Sequence, residues 1–499
     1  MRNLLEYLEN SKENNSQKIA VIDENGTYTY EELEDLSKSV GNGLSQKVKS
    51  QNPIPILMEK GRDALVAFFG TVYAGCYYVL LNPELPVDRL KKIMTVLEVE
   101  YLVTDRKHFE YAKELTKMDS ILLIEDLKQT SIDEKKLKQI REKMLDIDPL
   151  YVNFTSGSTG NPKGVVVSHK AVIDFIDNFT QIFNIKNDDI IANQAPFDFD
   201  VSVKDIYSTI CKGATLVIVP KRLFVQPTQL LDFLCENNVT TMIWAVSALC
   251  LITTFHALDY KTPKTVDKIL FSGEVMPIKH LKQWIQHLPN AMFVNLYGPT
   301  EITCNCTYYI IDNKKEYEKI PLGKTFPNEE VFLLDDENKK IIEDSIKGEI
   351  CVRGICLALG YYNNPKYTES NFVQNPLNNK YIDIIYKTGD LGYYLDGELF
   401  FAGRKDFQIK HMGHRIELEE IEKSIETIDG IKRCCCIYDY SKSRINGFYI
   451  GNIEKEKIFN YLKDKLPYFM IPNTLTQKEI FPITKNGKVD RKKLGDKNE

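Results

Sequence analysis

The chain has 499 residues, of which 43% are hydrophobic, 27% are charged and 11% are aromatic. These proportions are typical of a soluble globular protein and exclude disorder, collagen-like repeats and small disulfide scaffolds. With 64 basic and 70 acidic residues, the net charge of −6 creates no strong field that would select nucleic acid or an anionic membrane. At about 150 residues per domain the length predicts roughly three domains, and a large core with one smaller unit fits equally well.

The N-terminus and the cysteines predict a cytoplasmic location. Residues 1–10 have the pattern of an amphipathic helix rather than of a signal peptide. The 11 cysteines form no Cys-x-x-Cys pair, so the spacing of structural zinc sites and of thioredoxin chemistry is absent. An odd number of cysteines without a signal peptide favours a reducing compartment. The run at 434–436 is interpreted as buried strand residues.

The first hundred residues contain two further predicted helices. Thr29 and Glu32 have the spacing of a capping box, which predicts a helix over 29–44. Residues 64–81 carry no charge and approach the length of a membrane span. A helix that breaks at Gly75 into a β-rich segment explains this run better, and a membrane span is the alternative.

Short apolar strands alternate with amphipathic helices up to about residue 300, which indicates parallel sheets with crossover helices. The predicted strands include 54–57, 101–103, 121–124, 215–219 and 268–271, with a helix near 278–287. Between about 305 and 400 the pattern changes to short strands separated by turn residues, so a β-rich subdomain is expected there.

After residue 403 the pattern predicts a compact α+β unit. A strand over 407–410 precedes a helix with one apolar face and, later, a second helix over 457–466; the residues of the apolar face are Leu418, Ile421, Ile425 and Ile428. The predicted fold class is therefore α/β, with a large N-terminal body of parallel-rich sheets, a β-rich subdomain and a small mobile C-terminal domain. The expected boundaries are 1–403 for the body, 404–406 for a hinge and 407–499 for the C-terminal domain.

The strongest chemical signal is the segment 151–165, which reads Tyr-Val-Asn-Phe-Thr-Ser-Gly-Ser-Thr-Gly-Asn-Pro-Lys-Gly-Val. Glycines allow backbone N–H groups to approach an anion, hydroxyls donate to phosphate oxygens, and Lys163 supplies positive charge. The segment is not a Walker A loop, because Pro162 replaces the second glycine and Gly164 replaces the Ser or Thr. A surface turn rich in Ser and Gly is the alternative interpretation.

This loop resembles the phosphate loop of the adenylate-forming superfamily, which includes acyl-CoA synthetases, luciferases and nonribosomal-peptide adenylation domains. Further motifs of the superfamily occur in order along the chain, and together they are far more specific than any one of them. They are Tyr-Ala-Gly-Cys-Tyr-Tyr-Val-Leu-Leu-Asn-Pro at 73–83, Tyr-Gly-Pro-Thr-Glu at 297–301, Gly-Tyr-Tyr-Asn-Asn-Pro at 360–365, Tyr-Lys-Thr-Gly-Asp-Leu at 386–391, Gly-His-Arg-Ile-Glu at 413–417 and Asn-Gly-Lys-Val-Asp at 486–490.

The resemblance implies an ATP site with Mg²⁺ as the metal. In the superfamily the residue at Tyr297 stacks on adenine, Thr300 meets phosphate, Glu301 holds Mg²⁺, and Asp390 binds the ribose hydroxyls beside Arg404. Oxygen ligands of this kind suit a hard cation. Without the surrounding motifs, Asp390 would be interpreted as a turn residue. The full set of expected ATP-binding residues is Thr155, Ser156, Gly157, Ser158, Thr159, Gly160, Lys163, Gly273, Glu274, Asn295, Tyr297, Gly298, Asp390 and Arg404, with Lys488, Glu301 and Thr300 as the catalytic set.

By resemblance, Lys488 is the catalytic lysine that bridges the substrate carboxylate and the α-phosphate. One cation at about 4 Å offsets roughly 4 kcal/mol of the repulsion between such groups at an effective dielectric near 20. Asp406 stands at the superfamily's hinge position, where rotation would exchange Lys488 for the 413–417 loop and open a path for a thiol.

The segment 197–207 implies an amino-acid substrate. Asp200 aligns with the aspartate that pairs with the α-ammonium group in amino-acid-activating members, where a buried unpaired charge would be costly. The residues expected to line the substrate pocket are Asp200, Val201, Lys204, Trp244, Leu270, Ser272, Leu296, Cys304 and Asn305. Trp244 and the leucines suggest a small or shallow pocket. Lys204 either pairs with an acidic group or points away from the ligand.

The motifs are most similar to the D-alanine–carrier protein ligases, although the pocket cysteine expected after Trp244 has no clear equivalent. The chain ends shortly after Lys488 without a carrier-protein serine motif, so a free-standing enzyme is expected that loads the phosphopantetheine thiol of a separate carrier protein. A monomer that binds neither nucleic acid nor membrane is expected. The alternatives are an acyl-CoA synthetase and a non-catalytic nucleotide-binding protein.

Overall fold

The computed structural model describes residues 3–157, 161–440, 442–484 and 489–495. These residues fall into two compact units. The first comprises Met1–Asn82, Val99–Asn153 and Val165–Lys405, and the second comprises Pro83–Glu98, Phe154–Gly164 and Asp406–Glu499. The segments 83–98 and 154–164 thus group with the C-terminal part, whereas the sequence analysis assigned them to the N-terminal body.

The first unit contains a predominantly parallel sheet of nine strands. In spatial order the strands are β15 Lys324–Thr325, β14 Thr307–Ile310, β13 Met292–Tyr297, β12 Lys268–Ser272, β11 Thr241–Ala245, β9 Ile190–Asn193, β10 Thr215–Ile218, β1 Ile19–Asp23 and β2 Gly26–Thr29. The run from β13 to β1 pairs in parallel, and the antiparallel pairs are at the two edges.

A second sheet in this unit contains seven strands. Their order is β19 Gly360–Tyr361, β8 Lys163–Ser168, β7 Pro149–Thr155, β4 Tyr77–Leu81, β3 Pro53–Leu57, β5 Leu102–Thr104 and β6 Ile121–Leu123. The run from β7 to β6 pairs in parallel. The predicted alternation of strands and helices therefore produces two parallel-rich sheets, and the predicted fold class is confirmed.

The expected β-rich region forms an antiparallel sheet. Its strands are β17 Lys340–Ile341, β16 Glu329–Leu334, β18 Gly348–Gly354, β21 Ile384–Leu395, β20 Phe372–Gln374 and, beside β21, β22 Glu398–Arg404. The helices of the first unit are α1 Leu5–Asn15, α2 Tyr30–Ser45, α3 Arg62–Tyr73, α5 Phe109–Ala112, α6 Ile124–Leu127, α7 Glu134–Arg141, α8 His169–Ile182, α9 Val201–Lys212, α10 Pro227–Glu236, α11 Val246–Thr254, α12 Ala257–Tyr260, α13 Ile278–His287 and α14 Pro365–Asn371.

The second unit is an α+β assembly. Its strands are β23 Gln408–His411, β24 His414–Glu417, β25 Ile431–Asp439, β26 Arg444–Gly451 and β27 Thr474–Gln477, and its helices are α4 Val87–Leu97, α15 Leu418–Glu426, α16 Lys455–Lys465 and α17 Arg491–Gly495. Leu418, Ile421 and Ile425 are buried in its core, as their spacing predicted. Cys434, Cys435 and Cys436 are buried on β25, which confirms their interpretation as strand residues.

Two local predictions in the first unit are confirmed. Helix α2 begins with a capping box, in which Glu32 N donates to Thr29 Oγ1 at 3.2 Å and Thr29 N donates to the Glu32 carboxylate at 2.8 Å. The uncharged run 64–81 divides into α3 and β4, with Gly75 at φ +72° between them. Among the described residues no helix combines the length and the apolar character that crossing a membrane requires.

Helices α2 and α3 pack closely because glycines face each other at their contact. A Cβ atom on Gly41 would lie 2.5 Å from Tyr73 Cβ and 3.0 Å from the Gly70 carbonyl oxygen. Such a separation is too short for two carbon atoms, so a side chain at position 41 would push the helices apart.

We therefore expect Gly41→Ala to destabilise the first unit by about 1–3 kcal/mol, the usual cost of overpacking. Urea unfolding followed by circular dichroism measures this as a lower midpoint. Ser39→Ala is the matched control, because it lies in the same helix and adds no atom. Equal midpoints for the two variants would contradict the steric argument.

Candidate active site

The carboxyl ends of parallel strands β9, β12 and β13 carry the predicted site residues of the first unit. Ser272 ends β12, Tyr297 ends β13, and Asp200 precedes α9 in the connection after β9. In open α/β sheets ligands bind at this edge, because each parallel strand there passes into a loop that can present polar groups.

Tyr297, Asp390 and Arg404 form a buried hydrogen-bonded cluster. Asp390 is 2% exposed, and its Oδ2 accepts a hydrogen bond from the Tyr297 hydroxyl at 2.7 Å. Arg404 lies directly opposite Asp390 in the β21–β22 register, and its Nη1 contacts Asp390 Oδ1 at 2.5 Å. Burial, reinforced by the Asp390 charge, holds the pKa of the Tyr297 phenol well above its usual value, so this hydroxyl remains a donor.

Glu301 lies in a single helical turn, Thr300–Ile302, directly after the Tyr-Gly-Pro segment. Its side chain is buried, and Oε1 accepts a hydrogen bond from the Tyr361 hydroxyl at 2.7 Å. Gly298 is required for this turn, because a Cβ there would lie 2.5 Å from the Cα of Asn305. The sequence analysis gave Tyr361 no role, although this residue belongs to the 360–365 motif. Its place in that motif was the signal that could have identified it as a site residue.

Several expected substrate residues meet around Lys204. Lys204 Nζ donates to Asn305 Oδ1 at 2.8 Å and to Ser272 Oγ at 3.1 Å. Cys304 Sγ donates to the Asp200 carbonyl oxygen at 3.1 Å. Val201, Leu270, Leu296 and Cys304 are buried, and the last three belong to one hydrophobic core cluster.

Trp244 lies on the opposite face of its strand from this group. It is 0% exposed, stands beside Phe271 in the β11–β12 register, and packs with Phe271 in a different core cluster from Leu270. Its indole N–H donates to the Ala192 carbonyl oxygen at 2.8 Å. Since neighbouring strand residues face opposite sides, Trp244 does not join the Lys204 group, and the expectation that it lines the same pocket finds no support in this arrangement.

Other expected ATP-binding residues of the first unit have separate environments. The Asn295 amide donates to the Pro321 carbonyl oxygen at 2.9 Å, and Asn295 lies on the same face as Phe271. Gly273 has φ +96° with open space around the position of a Cβ, and Glu274 and Thr300 are partly exposed.

In the second unit the phosphate-loop segment contacts the segment 415–420. Ser156 Oγ donates to the Arg415 carbonyl oxygen at 2.8 Å and accepts from Glu417 N at 3.2 Å. Lys163 Nζ lies 3.7 Å from the Glu417 carboxylate, and burial raises the pKa of that carboxyl. Thr155 is partly exposed at the end of β7.

Glu420 and Arg89 are polar residues at this loop that the sequence analysis missed. Gly157 N donates to Glu420 Oε2 at 3.2 Å, and Arg89 Nη1 contacts Glu420 Oε1 at 2.6 Å. Both side chains are buried. The two residues are distant in sequence and belong to no recognised motif. The one available signal was that each is a charged residue on an amphipathic helix, Arg89 on α4 and Glu420 on α15.

Four expected residues lie outside the described residues: Ser158, Thr159, Gly160 and Lys488. The interpretation of the tip of the phosphate loop depends on the first three and therefore stays a prediction. Asp406 is described, and its Oδ1 accepts from Gln408 N at 3.2 Å. Among the described residues no group of three or more His, Cys, Asp or Glu side chains is arranged to hold a metal ion.

Comparison with known proteins identifies the family. The profile of the family described as AMP-binding enzyme matches residues 8–362. The D-alanine–D-alanyl carrier protein ligase of Bacillus cytotoxicus is 31% identical over 98% of this chain and 98% of its own length. Zwittermicin A synthase ZmaJ of Bacillus cereus is 33% identical over 96% of this chain and 91% of its own.

The fold agrees with these sequence relationships. The Vibrio cholerae adenylation domain AlmE, solved with glycyl-adenosine-5'-phosphate, superposes with a TM-score of 0.86 at 21% identity, covering 98% of this chain and 97% of its own. The chain belongs to the family of AMP-binding enzymes, and its predicted membership of the adenylate-forming superfamily is confirmed. Enzymes of this family use ATP.

We expect Arg404→Met to destabilise the first unit by about 3 kcal/mol, because it leaves the buried Asp390 carboxylate without its cation. The double variant Asp390→Asn/Arg404→Met removes both charges and should recover more than half of this loss. Urea denaturation of the single and double variants measures the coupling. Losses that simply add would show that the two side chains do not stabilise each other.

Proposed function

We propose that this enzyme activates a small amino acid with ATP and then transfers the aminoacyl group to the phosphopantetheine thiol of a carrier protein. The single observation that carries the proposal is the buried cluster of Tyr297, Asp390 and Arg404 at the carboxyl edge of the parallel sheet. It stands at the positions where the superfamily binds adenosine, in a chain whose relatives include carrier protein ligases along their whole length.

The chemistry consists of two displacements. A carboxylate oxygen of the amino acid attacks the α-phosphorus of ATP, the bond to the bridging oxygen breaks, and pyrophosphate leaves. The thiolate of the carrier then attacks the acyl carbon, and AMP leaves with the electrons of the broken C–O bond. Both steps depend mainly on positioning and charge stabilisation rather than on a protein nucleophile.

Asp390 is proposed to accept hydrogen bonds from the ribose hydroxyls, with Arg404 fixing its orientation. Tyr297 is proposed to stack on adenine, and Thr300 to contact phosphate. Glu301 fits a magnesium ion, because Mg²⁺ is usually held by one or two carboxylates together with substrate phosphates. When bound, Mg²⁺ neutralises phosphate charge in the first half-reaction.

The substrate's α-ammonium group is proposed to pair with Asp200. The remaining domain proposals follow the sequence analysis: residues 1–403 bind both substrates, Asp406 within 404–406 is the hinge, and residues 407–499 carry Lys488. We also expect a cytoplasmic monomer; the near-neutral charge balance supports a partner other than nucleic acid.

An ATP–pyrophosphate exchange screen over L- and D-amino acids tests this function. D-alanine is included because one relative is a D-alanine–D-alanyl carrier protein ligase. We expect exchange that depends on an amino acid and, with a phosphopantetheinylated D-alanyl carrier protein, a thioester product. Propionate and benzoate, which lack the amino group, should give no exchange. Acylation of coenzyme A with such acids would instead establish an acyl-CoA synthetase.

Lys488→Ala should lower amino-acid-dependent exchange by about 100-fold or more, the usual effect of removing one group that stabilises developing charge. ATP affinity, measured by isothermal titration calorimetry, should change little, because the lysine is proposed to act on the reacting groups. Lys492→Ala, which removes an exposed lysine four positions later in the sequence, is the control. Full exchange activity in Lys488→Ala would refute the catalytic assignment.

A further inference from the structure

Arg491 is the first residue of the short helix α17 and forms a polar contact with two other elements of the second unit. Its guanidinium group makes two parallel hydrogen bonds with the Glu422 carboxylate, from Nη1 to Oε1 at 2.5 Å and from Nη2 to Oε2 at 3.0 Å. Nη1 also donates to the Cys436 carbonyl oxygen. Glu422 Oε1 in turn accepts from Cys436 N at 2.6 Å, so the ion pair joins α17 to both α15 and β25.

The same guanidinium group lies over an aromatic ring. Its central carbon is 4.0 Å from the centroid of the Phe407 ring, a distance at which the ring attracts a cation. Phe407 directly follows Asp406, the expected hinge residue. Arg491 therefore holds the residue after the expected hinge against the helix that follows the Lys488 segment.

This contact is largely shielded from water. The Arg491 and Glu422 side chains are 16% and 12% exposed. Burial raises the pKa of the Glu422 carboxyl, and the hydrogen bonds and charge of Arg491 act in the opposite direction. A guanidinium that makes two parallel hydrogen bonds to a carboxylate fixes the direction of the contact as well as its distance. The pair thus sets the orientation of α17.

Packing alone leaves that orientation open. Helix α17 has five residues, and a helix of this length depends on tertiary contacts for its stability. Leu494 supplies an apolar contact, since it packs with Cys435 and Phe481 in a small cluster. The hydrophobic effect is not directional, so this cluster holds the helix without fixing its rotation. The directional contact comes from Arg491, three residues earlier.

Lys488 lies outside the described residues, but the chain immediately after it is described. Val489 forms an antiparallel bridge with Ile483, and Arg491 N donates to the Val489 carbonyl oxygen at 3.1 Å. Consecutive Cα atoms are about 3.8 Å apart, so the contacts that fix Val489 and Arg491 also limit where the backbone of Lys488 can lie.

We infer that Arg491 is a positioning residue for the proposed catalytic lysine. Through Glu422 and Phe407 it holds the chain that follows Lys488 in one orientation relative to the expected hinge. This inference rests on the proposed function, since it concerns the first half-reaction at that site. Arg491 itself contacts no substrate, and its influence is confined to adenylate formation, the step in which Lys488 acts.

Arg491→Met removes the charge and both parallel hydrogen bonds but keeps a long side chain. A misplacement of about 1 Å costs about 100-fold in rate, so kcat for ATP–pyrophosphate exchange should fall by about this factor. KM for ATP and for the amino acid with the fastest exchange should change by less than about threefold, because the lost effect belongs to the transition state. Arg433→Met, the same substitution at an exposed arginine of β25, is the control and should leave both constants unchanged.

A second measurement separates positioning from a general loss of structure. The chemically prepared adenylate of the same amino acid is mixed with the enzyme and a phosphopantetheinylated D-alanyl carrier protein, and thioester formation is followed. Arg491→Met should form the thioester at the rate of the unmodified enzyme, because this reaction bypasses the step that needs Lys488. A variant that had only lost its fold would lose both activities.

Glu422→Gln tests the route through the ion pair and decides the matter where Arg491→Met does not fold. It should lower kcat for exchange while KM and thioester formation stay unchanged. The double variant Arg491→Met/Glu422→Gln should be no slower than Arg491→Met, because residues that act as one pair do not contribute independently.

The outcomes distinguish this inference from the function beneath it. An unchanged kcat in Arg491→Met, losses of kcat that add in the double variant, or equal losses of exchange and thioester formation in folded variants would each overturn the inference and leave amino-acid activation intact. The absence of exchange by the unmodified enzyme with every amino acid would overturn the proposed function and the inference together.

Discussion

The parallel register of β9, β11, β12 and β13 is the constraint on which the proposed site depends. Parallel strands that follow one another need crossover helices, so every strand in this run leaves the sheet at the same edge. Residues that are far apart in sequence, such as Asp200 and Tyr297, therefore come to one edge without any direct pairing between their own segments. The long helices that cover the sheet hold this edge in place by burying its apolar faces.

The alternation of side chains along the same strands then determines which face of the sheet each residue reaches. Leu270, Ser272 and Leu296 face the side on which α9 packs, whereas Trp244, Phe271 and Asn295 face the other core. Since a strand has a period of two residues, a single-residue difference in position decides which side a group reaches. The predicted pocket residues were taken from their place in motifs, and motif position alone does not distinguish the two faces.

The sequence contained enough information for most of the architecture. The capping box of α2, the division of 64–81 into α3 and β4, and the apolar face of α15 all follow from local spacing, which physical chemistry ties directly to helix and strand geometry. The sequence could not indicate that Arg89 and Glu420 form a buried ion pair, because their proximity depends on how α4 and α15 pack. An ion pair between distant segments leaves no periodicity, spacing or motif in the sequence, because only the tertiary fold brings its two residues together.

Two buried carboxylates of the described residues are balanced by direct contact with a cation. Asp390 is neutralised by Arg404, and Glu420 by Arg89 together with the Gly157 N–H group. The contact between Gly157 and Glu420 also supports the phosphate-loop assignment. There a backbone N–H group of the glycine-rich segment donates to an anionic oxygen, which is the property that the composition of the segment predicts. Lys204 and Asp205 differ from these pairs, because Lys204 donates to neutral oxygens of Ser272 and Asn305, and Asp205 accepts from the Asn193 amide. Burial lowers the pKa of Lys204 and raises that of Asp205 to about 8, and the charge of each side chain opposes the shift of the other, so these two neighbours balance each other through space rather than by direct contact.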